Sequence, residues 1–498
     1  MSPIISKSRF VSGIQCEKKL YFDIFRKELK PKISEQQAAL FASGHEIGAF
    51  AQKVFPNGVD ASPGNYYDFS KSILDTKNWI ELGVNTIYEA AFSQDGVLAA
   101  LDILHHSEGK RWAIEVKSST GVKDYHITDA SLQYWVMEKS GVKLDVFYIM
   151  HINNSYVKQG EIIPAELFTL VDITEQIIAN QNWVTKNLEQ LKKMLASQIE
   201  PDIKIGKHCG SPFLCDYMHH CWKHLPEQSV FSLYSPRGID WELYQQGIIS
   251  ITDIPESVEL NHRQQLQFNG LKYGSNYIDK QSIKEFLAQL TYPLYFFDFE
   301  TIFPSIPVLD GTRPFQQVPF QYSLHIISEN EGKMMHREFL AQPMDFNGSR
   351  LRDPRKHLIE QLKIDIGTIG SIVAYNAPFE IGVLKELLLA LPEDKEFINQ
   401  LISRFVDLLV PFRSAWYYLP EMGGSASIKS VLPAIAPDFS YSDLDIKNGN
   451  DASNIFHTMI KNKFNGDEAK TREELKKYCE RDTFGMIVLW EELKRVSN

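Results

Sequence analysis

Strand-forming and helix-forming segments alternate along this chain in two blocks, separated by a stretch of a different kind. That division limits the folds open to it. In the first block, segments 96–105 and 110–117 read as adjacent strands joined by the polar turn His106-Ser107-Glu108-Gly109, because both are rich in β-formers and bounded by turn residues. Helices are expected over 8–25, 35–54 and 129–139, a strand over 144–151, and a long amphipathic helix over 173–197. Between 225 and 290 the pattern changes to short helices broken by turns such as Pro236-Arg237-Gly238. The second block opens at Tyr292 with the strand PLYFFDFET. It continues with strands at 321–327, 335–340 and 370–375 and a helix from Pro354, and it closes on a helix over 471–495. This alternation implies an α/β fold in each block with a helical connector between them. A length of 498 residues fits two or three domains, and there is no repeat at the roughly 20–50-residue periods of solenoids.

Charge narrows the function. A formal net charge of −11 repels a polyanion as a whole, which argues against a protein that simply coats nucleic acid. It is compatible with an enzyme whose carboxylates are neutralised by divalent metal and whose basic residues act locally. The N-terminal stretch MSPIISKSRFVSG lacks the apolar core of a signal peptide. No apolar run approaches the ~20 residues needed to span a bilayer, so a cytoplasmic location without membrane contact is expected. The Gly-Lys pairs at 109–110, 206–207 and 332–333 are followed by Arg, His and Met, so no Walker A loop is completed and no ATPase is expected.

The first block carries AALDILHHSEGKRWAIEVKSST. Glu115 and Lys117 stand two apart on a strand and share a face, and the turn brings Asp102 beside them. Two carboxylates can hold Mg²⁺ or Mn²⁺, and a lysine can orient a water or steady charge on phosphate. A lone Glu-x-Lys is also an ordinary solvated strand face. The wider pattern resembles the PD-(D/E)XK nucleases, in the RecB-like branch that includes the CRISPR-associated adaptation nucleases and the AddB nuclease domain. That resemblance implies a restriction-endonuclease-like domain over 1–224. It gives Asp102, Glu115 and Lys117 catalytic roles, His45 a place among the metal ligands, and Gln133 a contact with substrate. The branch often has a tyrosine four residues beyond the glutamine, where this chain has Met137, with Tyr134 next to Gln133.

Cys16 stands alone, whereas Cys209, Cys215 and Cys221 cluster at C-x5-C-x5-C. One distant cysteine and three close ones are similar to the iron–sulfur members of that branch, which implies a [4Fe–4S] cluster on four thiolates. The usual trio is spaced more tightly, at C-x2-C-x5-C. With His208, His219 and His220 nearby, a zinc site is the alternative, and unliganded thiols are another. Cys479 is left over and reads as a buried thiol.

The second block carries three separated signals. Asp298 and Glu300 share a strand face, Asn376 to Glu380 start a helix after a strand, and Tyr478 and Asp482 stand at i and i+4 on the last helix. Four carboxylates and a phenol of this kind suit two-metal hydrolysis, with the tyrosine orienting the attacking water. From 292 to 493 the chain resembles the DEDD superfamily of 3′–5′ exonucleases in its tyrosine subtype, which implies an RNase H-like domain over 291–498. Asp407 in FVDLL and the segment SIKSV at 427–431 fit that order. Most members have aspartate where this chain has Glu380. In the connector, residues 243–260 resemble a helix–hairpin–helix backbone-binding element, with a packed connector as the alternative.

The expectation is therefore a two-centre, metal-dependent nuclease, with nucleic acid as partner and DNA favoured over RNA. A helicase or a repair or defence protein is a further candidate partner. The rival readings are a nucleic-acid-binding scaffold with decayed centres, motivated by Glu380 and Met137, and an RNA-trimming C-terminal half.

Overall fold

Seven strands make the sheet of the first block: β1 (Ile5–Ser6), β2 (Val59–Asp60), β3 (Thr86–Gln94), β4 (Val97–Ser107), β5 (Lys110–Lys117), β6 (Val146–Ile152) and β7 (Phe168–Asp172). This is seen in a computed structural model, which describes residues 3–65, 68–328, 334–346 and 353–498. The order is β2-β3-β4-β5-β6-β7, with β1 added in parallel to β4. Strands β3, β4 and β5 form an antiparallel meander, and β6 lies parallel to β5. Both meander turns are two-residue turns with positive φ throughout, Asp95-Gly96 and Glu108-Gly109. That conformation matches the twist of the flanking strands. The second turn is shorter than expected because β4 continues through Ser107.

Among the helices that frame this sheet are α1 (Lys7–Gln15), α2 (Glu17–Phe25), α3 (Glu35–Gln52), α4 (Asp124–Lys139) and α5 (Gln181–Ser197), with Ser70–Glu81 packed on β3. Helix α4 is buried at every position from Asp129 to Met137, so it is a core helix without a polar stripe. Two expected helices are broken. The one over 8–25 splits at Cys16, whose backbone is extended and whose N–H bonds Ser12 O. The one over 173–197 splits at Asn180 into Thr174–Ala179 and α5.

The chain divides into two compact units, Met1–His224 and Leu225–Asn498. In the second, residues 243–260 hold only the end of a helix, Ile239–Gln245, and a 3₁₀ turn, Ile251–Asp253; the next helix begins at His262. The paired helices of a helix–hairpin–helix do not fall in that window. A small ribbon pairs β8 (Tyr277–Ile278) with β14 (Tyr417–Tyr418). The main sheet comprises β9 (Leu294–Ile302), β10 (Val318–Ile327), β11 (Met334–Leu340), β12 (Ile372–Ala374) and β13 (Phe405–Asp407), in the order β11-β10-β9-β12-β13. Strands β9 to β11 are antiparallel, while β12 and β13 run parallel to β9.

Nearly every residue of β9 is buried, because both its faces are covered. Tyr295, Phe297 and Phe299 pack on helices Pro354–Asp365 and α6 (Ala377–Ala390). Leu294 and Phe296 pack toward the 30-residue terminal helix α7 (Glu468–Ser497), with Phe296 against Trp490. The protein is thus α/β, with mixed sheets layered against helices. Among the described residues no helix is long and apolar enough to cross a membrane.

Candidate functional site

The even positions of β9 carry carboxylates into the layer beneath α7, and this positions the C-terminal site. Asp298 and Glu300 line an open cleft of about 440 Å³ together with Tyr478 and Asp482 of α7, Phe379, and the segment 448–450. Strand β12 is only three residues long and ends at Ala374. The Phe299 N–H lies beyond its end, and the Glu380 carboxylate accepts it from the first turn of α6. Glu380 is only 2% exposed, yet its Oε2 has no hydrogen-bond partner. All four expected carboxylates therefore converge.

Their electrostatics are unfavourable without a cation. Burial raises Asp298, Glu300 and Glu380 well above the ordinary carboxylate range, and their mutual repulsion adds to it. Burial also pushes Asp482 up to about 6, although hydrogen bonds from Tyr441 and Tyr478 oppose the rise. The Tyr441 hydroxyl donates to Asp482 Oδ1 at 2.6 Å. Lys429 is the cation that faces Glu300 and Asp482, and its Nζ lies 5.9 Å from the ring centroids of both Tyr441 and Tyr478. Cys479 is buried as expected, with Sγ 3.6 Å from Asp298 Oδ2. Ligand atoms of Asp298, Glu300 and Cys479 lie within 4.8 Å of one another. A Cβ on Gly449 would come within 3.3 Å of Glu300 Oε2, so this glycine permits the close approach of its helix N-terminus.

Asn376 takes another role. It is exposed, sits in the left-handed region at φ 74°, and does not line the cleft. Its N–H donates to Asp407 Oδ1 at 2.9 Å, and the Leu409 N–H donates to the same oxygen. Asp407 thereby fixes the turn that aims α6 and Glu380. Tyr441 and Lys429 had no signal of their own in the sequence, although Lys429 lies inside the SIKSV segment.

In the N-terminal unit the expected trio also meets. Asp102 Oδ2 accepts the Val116 N–H at 2.6 Å. Lys117 Nζ donates to Glu115 Oε1 at 2.8 Å and to Asp129 Oδ2 at 2.6 Å. Three residues join them that the sequence reading had not singled out: Lys7, Glu89 and Asp129. Lys7 Nζ donates to both oxygens of Glu115 at 3.0 and 3.2 Å. Glu89 lies between the ladder pairs Tyr88–Ile103 and Ala90–Leu101, so it stands opposite Asp102. Burial pushes Asp102 up to about 8, with repulsion from Glu115 adding to it, and burial raises Glu89 as well. Burial would raise Glu115 too, but Lys117 and Lys7 outweigh it and hold that carboxyl well below its usual range.

His45 is exposed on α3, and among the described residues no hydrogen bond or ion pair joins it to this group. Gln133 is 0% exposed and both its amide atoms lack partners, while Met137 is in the core. Neither position faces solvent. Tyr134 donates to Glu138.

Cys16, Cys209, Cys215 and Cys221 all line one cavity. The break at Cys16 serves it, because it turns the thiol toward the cavity at the start of α2, where the backbone N–H groups of Lys18 and Lys19 oppose the rise in its pKa. Burial raises Cys16, Cys221 and Cys215, the last to about 11, while Lys19 and Lys18 draw Cys215 and Cys221 back toward the thiolate. Among the three expected histidines only His208 lines the cavity. His219 Nδ1 is engaged with Asp216 O, and His220 packs edge-on against Phe22.

Residues 295–427 match the family described as a domain of unknown function (DUF2779). That span contains Asp298, Glu300, Glu380 and Asp407 and ends before Tyr478 and Asp482. The chain is similar to the uncharacterized protein MG366 of Mycoplasma genitalium, 29% identical over 208 residues, which covers 39% of this chain and 30% of that protein. It is also similar to the MG366 homolog of Mycoplasma pneumoniae (28% over 210 residues; 39% and 31%). The uncharacterized protein UU173 of Ureaplasma parvum is 26% identical over 233 residues (42% and 32%). The chain thus spans about a third of the length of these curated relatives.

Proposed function

We propose that the chain is a metal-dependent nuclease with two phosphodiester-hydrolysing centres, one RecB-like and one of the DEDD tyrosine subtype. One observation carries this reading. Asp298, Glu300 and Asp482 line one solvent-open cleft, and the buried Glu380 beside Asp298 and Glu300 has an Oε2 left without a partner. A buried acceptor in that position costs free energy unless a cation or donor meets it. The donor set is all oxygen apart from a neighbouring thiol, which suits Mg²⁺ or Mn²⁺.

Asp298, Glu300, Glu380 and Asp482 would hold such ions, which when bound supply an activated water and charge neutralisation at the phosphate. Tyr478, hydrogen-bonded to Asp482, would orient the attacking water. Lys429 offsets part of the negative field that would otherwise repel the substrate backbone. Asn448, Gly449 and Asn450 line the cleft beside Glu300 and offer polar groups for the scissile strand.

At the N-terminal centre, Glu89, Asp102 and Glu115 would hold metal, with Lys117 steadying charge on the phosphate. The four cysteines would hold a [4Fe–4S] cluster. Four thiolates on a single zinc, at Zn–S of about 2.3 Å, stand about 3.8 Å apart. No three of these sulfurs fall within 4.8 Å among the described residues, a spread wider than a single zinc takes.

The substrate we infer is DNA, on the RecB-like resemblance, and the location cytoplasmic, with a helicase or a repair or defence protein as partner. The test is an end-labelled panel of single- and double-stranded DNA and RNA with Mg²⁺ or Mn²⁺. It compares the full chain with Lys117→Ala and Asp298→Ala. Each substitution should remove one activity and leave the other. No cleavage of any substrate by the wild type would overturn the proposal, and RNA-only cleavage would overturn its choice of substrate.

A further inference from the structure

The geometry points to a further metal site in the C-terminal unit, outside the carboxylate cleft: a zinc-class cation held by His325, His336 and Glu480. None of the three lines that cleft.

The sheet register creates the site. In the β10–β11 ladder His325 stands directly opposite His336, and the two rings lie 4.5 Å apart. Glu480 approaches from α7, with one oxygen 3.9 Å from His336 Nδ1. One ligand atom from each of the three residues falls within 4.8 Å of the others.

The surrounding hydroxyls decide which nitrogens are free. Thr483 Oγ1 lies 2.8 Å from His325 Nδ1 and 2.8 Å from Ser323 Oγ, and it reaches the carbonyls of Glu480 and Cys479 at 3.1 and 3.4 Å. Ser323 Oγ in turn lies 2.9 Å from His336 Nε2. One nitrogen of each ring is thus anchored by a hydroxyl, and His325 Nε2 and His336 Nδ1 are the nitrogens left to face a cation. Two imidazole lone pairs beside a carboxylate repel one another unless a cation sits between them. Anchoring of the distal ring nitrogen by a second group is how metal-binding histidines are oriented. Burial also keeps His325 neutral at pH 7, with its pKa lowered to about 4.

A Ser-His-Glu nucleophilic triad is excluded by the same geometry. Ser323 is 1% exposed, so it cannot reach a substrate.

Two nitrogens and one carboxylate oxygen select zinc, cobalt or nickel over magnesium, and three protein ligands leave the fourth tetrahedral position to water. The bound ion would tie the β10–β11 hairpin to α7, the helix that carries Tyr478 and Asp482. It would act as a clip on the element that completes the cleft.

The experiment uses the full chain, stripped of metal and titrated with Zn²⁺ against a chromophoric chelator in the presence of excess Mg²⁺. Zinc taken up by the cysteines or the carboxylates is common to all variants and cancels. Wild type should bind one equivalent more than His336→Ala, and Glu480→Gln should bind that equivalent at least tenfold more weakly. Zinc should raise the melting temperature of wild type by several degrees more than that of either variant, all three melting alike in EDTA. Equal zinc stoichiometry and affinity in wild type and both variants would overturn the site. Should His336→Ala melt early in EDTA, the exposed Glu480→Gln decides alone.

Discussion

Lys7 and Glu115 stand 108 positions apart in the chain, and the lysine ammonium bridges both oxygens of the carboxylate at 3.0 and 3.2 Å. The first residue of α1 is thereby fastened to the strand that bears the candidate catalytic glutamate. The same contact neutralises a carboxylate that a metal would use, so stability and metal affinity are set against each other. Lys7→Met keeps the apolar stem but removes the charge. Losing a hydrogen bond between charged groups should cost the N-terminal unit about 1–3 kcal/mol, because Lys117 still pairs with Glu115. Hydrogen exchange should quicken in α1 and β5, while Mn²⁺ binding at this centre tightens. Slower exchange together with weaker Mn²⁺ binding would contradict this account.

The pH response of the metal-free protein should follow its raised carboxylates, which both centres contain. Asp298, Glu300, Glu380 and Asp482 are raised in the folded state, chiefly by burial, with Asp482 at about 6. Folding therefore gains from their protonation below about pH 4, and that gain is lost as pH rises through the folded values. Asp102, raised to about 8, behaves in the same way in the N-terminal unit. Glu115 alone is opposite: it is held low by Lys117 and Lys7, so its contribution is present above about pH 4.5 and is lost on acidification. Between pH 5 and 7.5 in EDTA, exchange protection corrected for intrinsic rate should fall in β9 and α7 and, through Asp102, in β4. Mn²⁺ at pH 7.5 should restore it in β9. Protection that holds in β9, α7 and β4 across this range would show that the carboxylates are not responsible.

What the sequence revealed was local. Glu115 and Lys117 alternate on one strand, Asp298 and Glu300 on another, and Tyr478 and Asp482 share a helix face, so periodicity alone places each pair. What it hid came from contacts distant in the chain. Lys7 and Tyr441 acquire their roles only through partners far along the sequence. Strand β3 was missed because Ala90 and Ala91 weaken its β-propensity and Glu89 interrupts it at a φ of 52°. The Asp95-Gly96 turn behind it was nonetheless a readable hairpin signal. The break at Cys16 has no proline or glycine to announce it. It follows from a sulfur turned into the cavity that the other three cysteines line.

That geometry makes Cys16 a sharp probe. If the four thiols hold a cluster, anaerobically purified protein should contain iron and sulfide, and Cys16→Ser should lose most of both. The N-terminal unit should then melt earlier, since a cross-link from residue 16 to the 209–221 segment closes a very long loop. Cleavage through the C-terminal centre should persist. Stoichiometric zinc without iron in the wild type would sink the cluster and leave His208, which alone of the three histidines lines the cavity, as the added ligand.

The last prediction concerns the glutamate that stands where aspartate is usual. Glu380 lies beside Asp298 and Glu300 on the first turn of α6 and accepts the Phe299 N–H that the short β12 leaves unpaired, while Oε2 has no partner. The extra methylene is thus used to span from the helix to the strand backbone. Aspartate at this position would withdraw the carboxylate by about 1.5 Å, one carbon–carbon bond length. It would forfeit the Phe299 contact and hold the metal off its place, and a misplacement of about 1 Å costs on the order of a hundredfold in rate. Glu380→Gln keeps the length and removes the charge, so the Phe299 bond survives while the ligand is lost. Turnover of end-labelled single-stranded substrate with Mn²⁺ by the full chain, in a Lys117→Ala background, should be abolished in Glu380→Gln. In Glu380→Asp it should be measurable but reduced ten- to a hundredfold. If Glu380→Gln turns over as fast as its parent, this carboxylate is no ligand and the four-carboxylate centre is wrong.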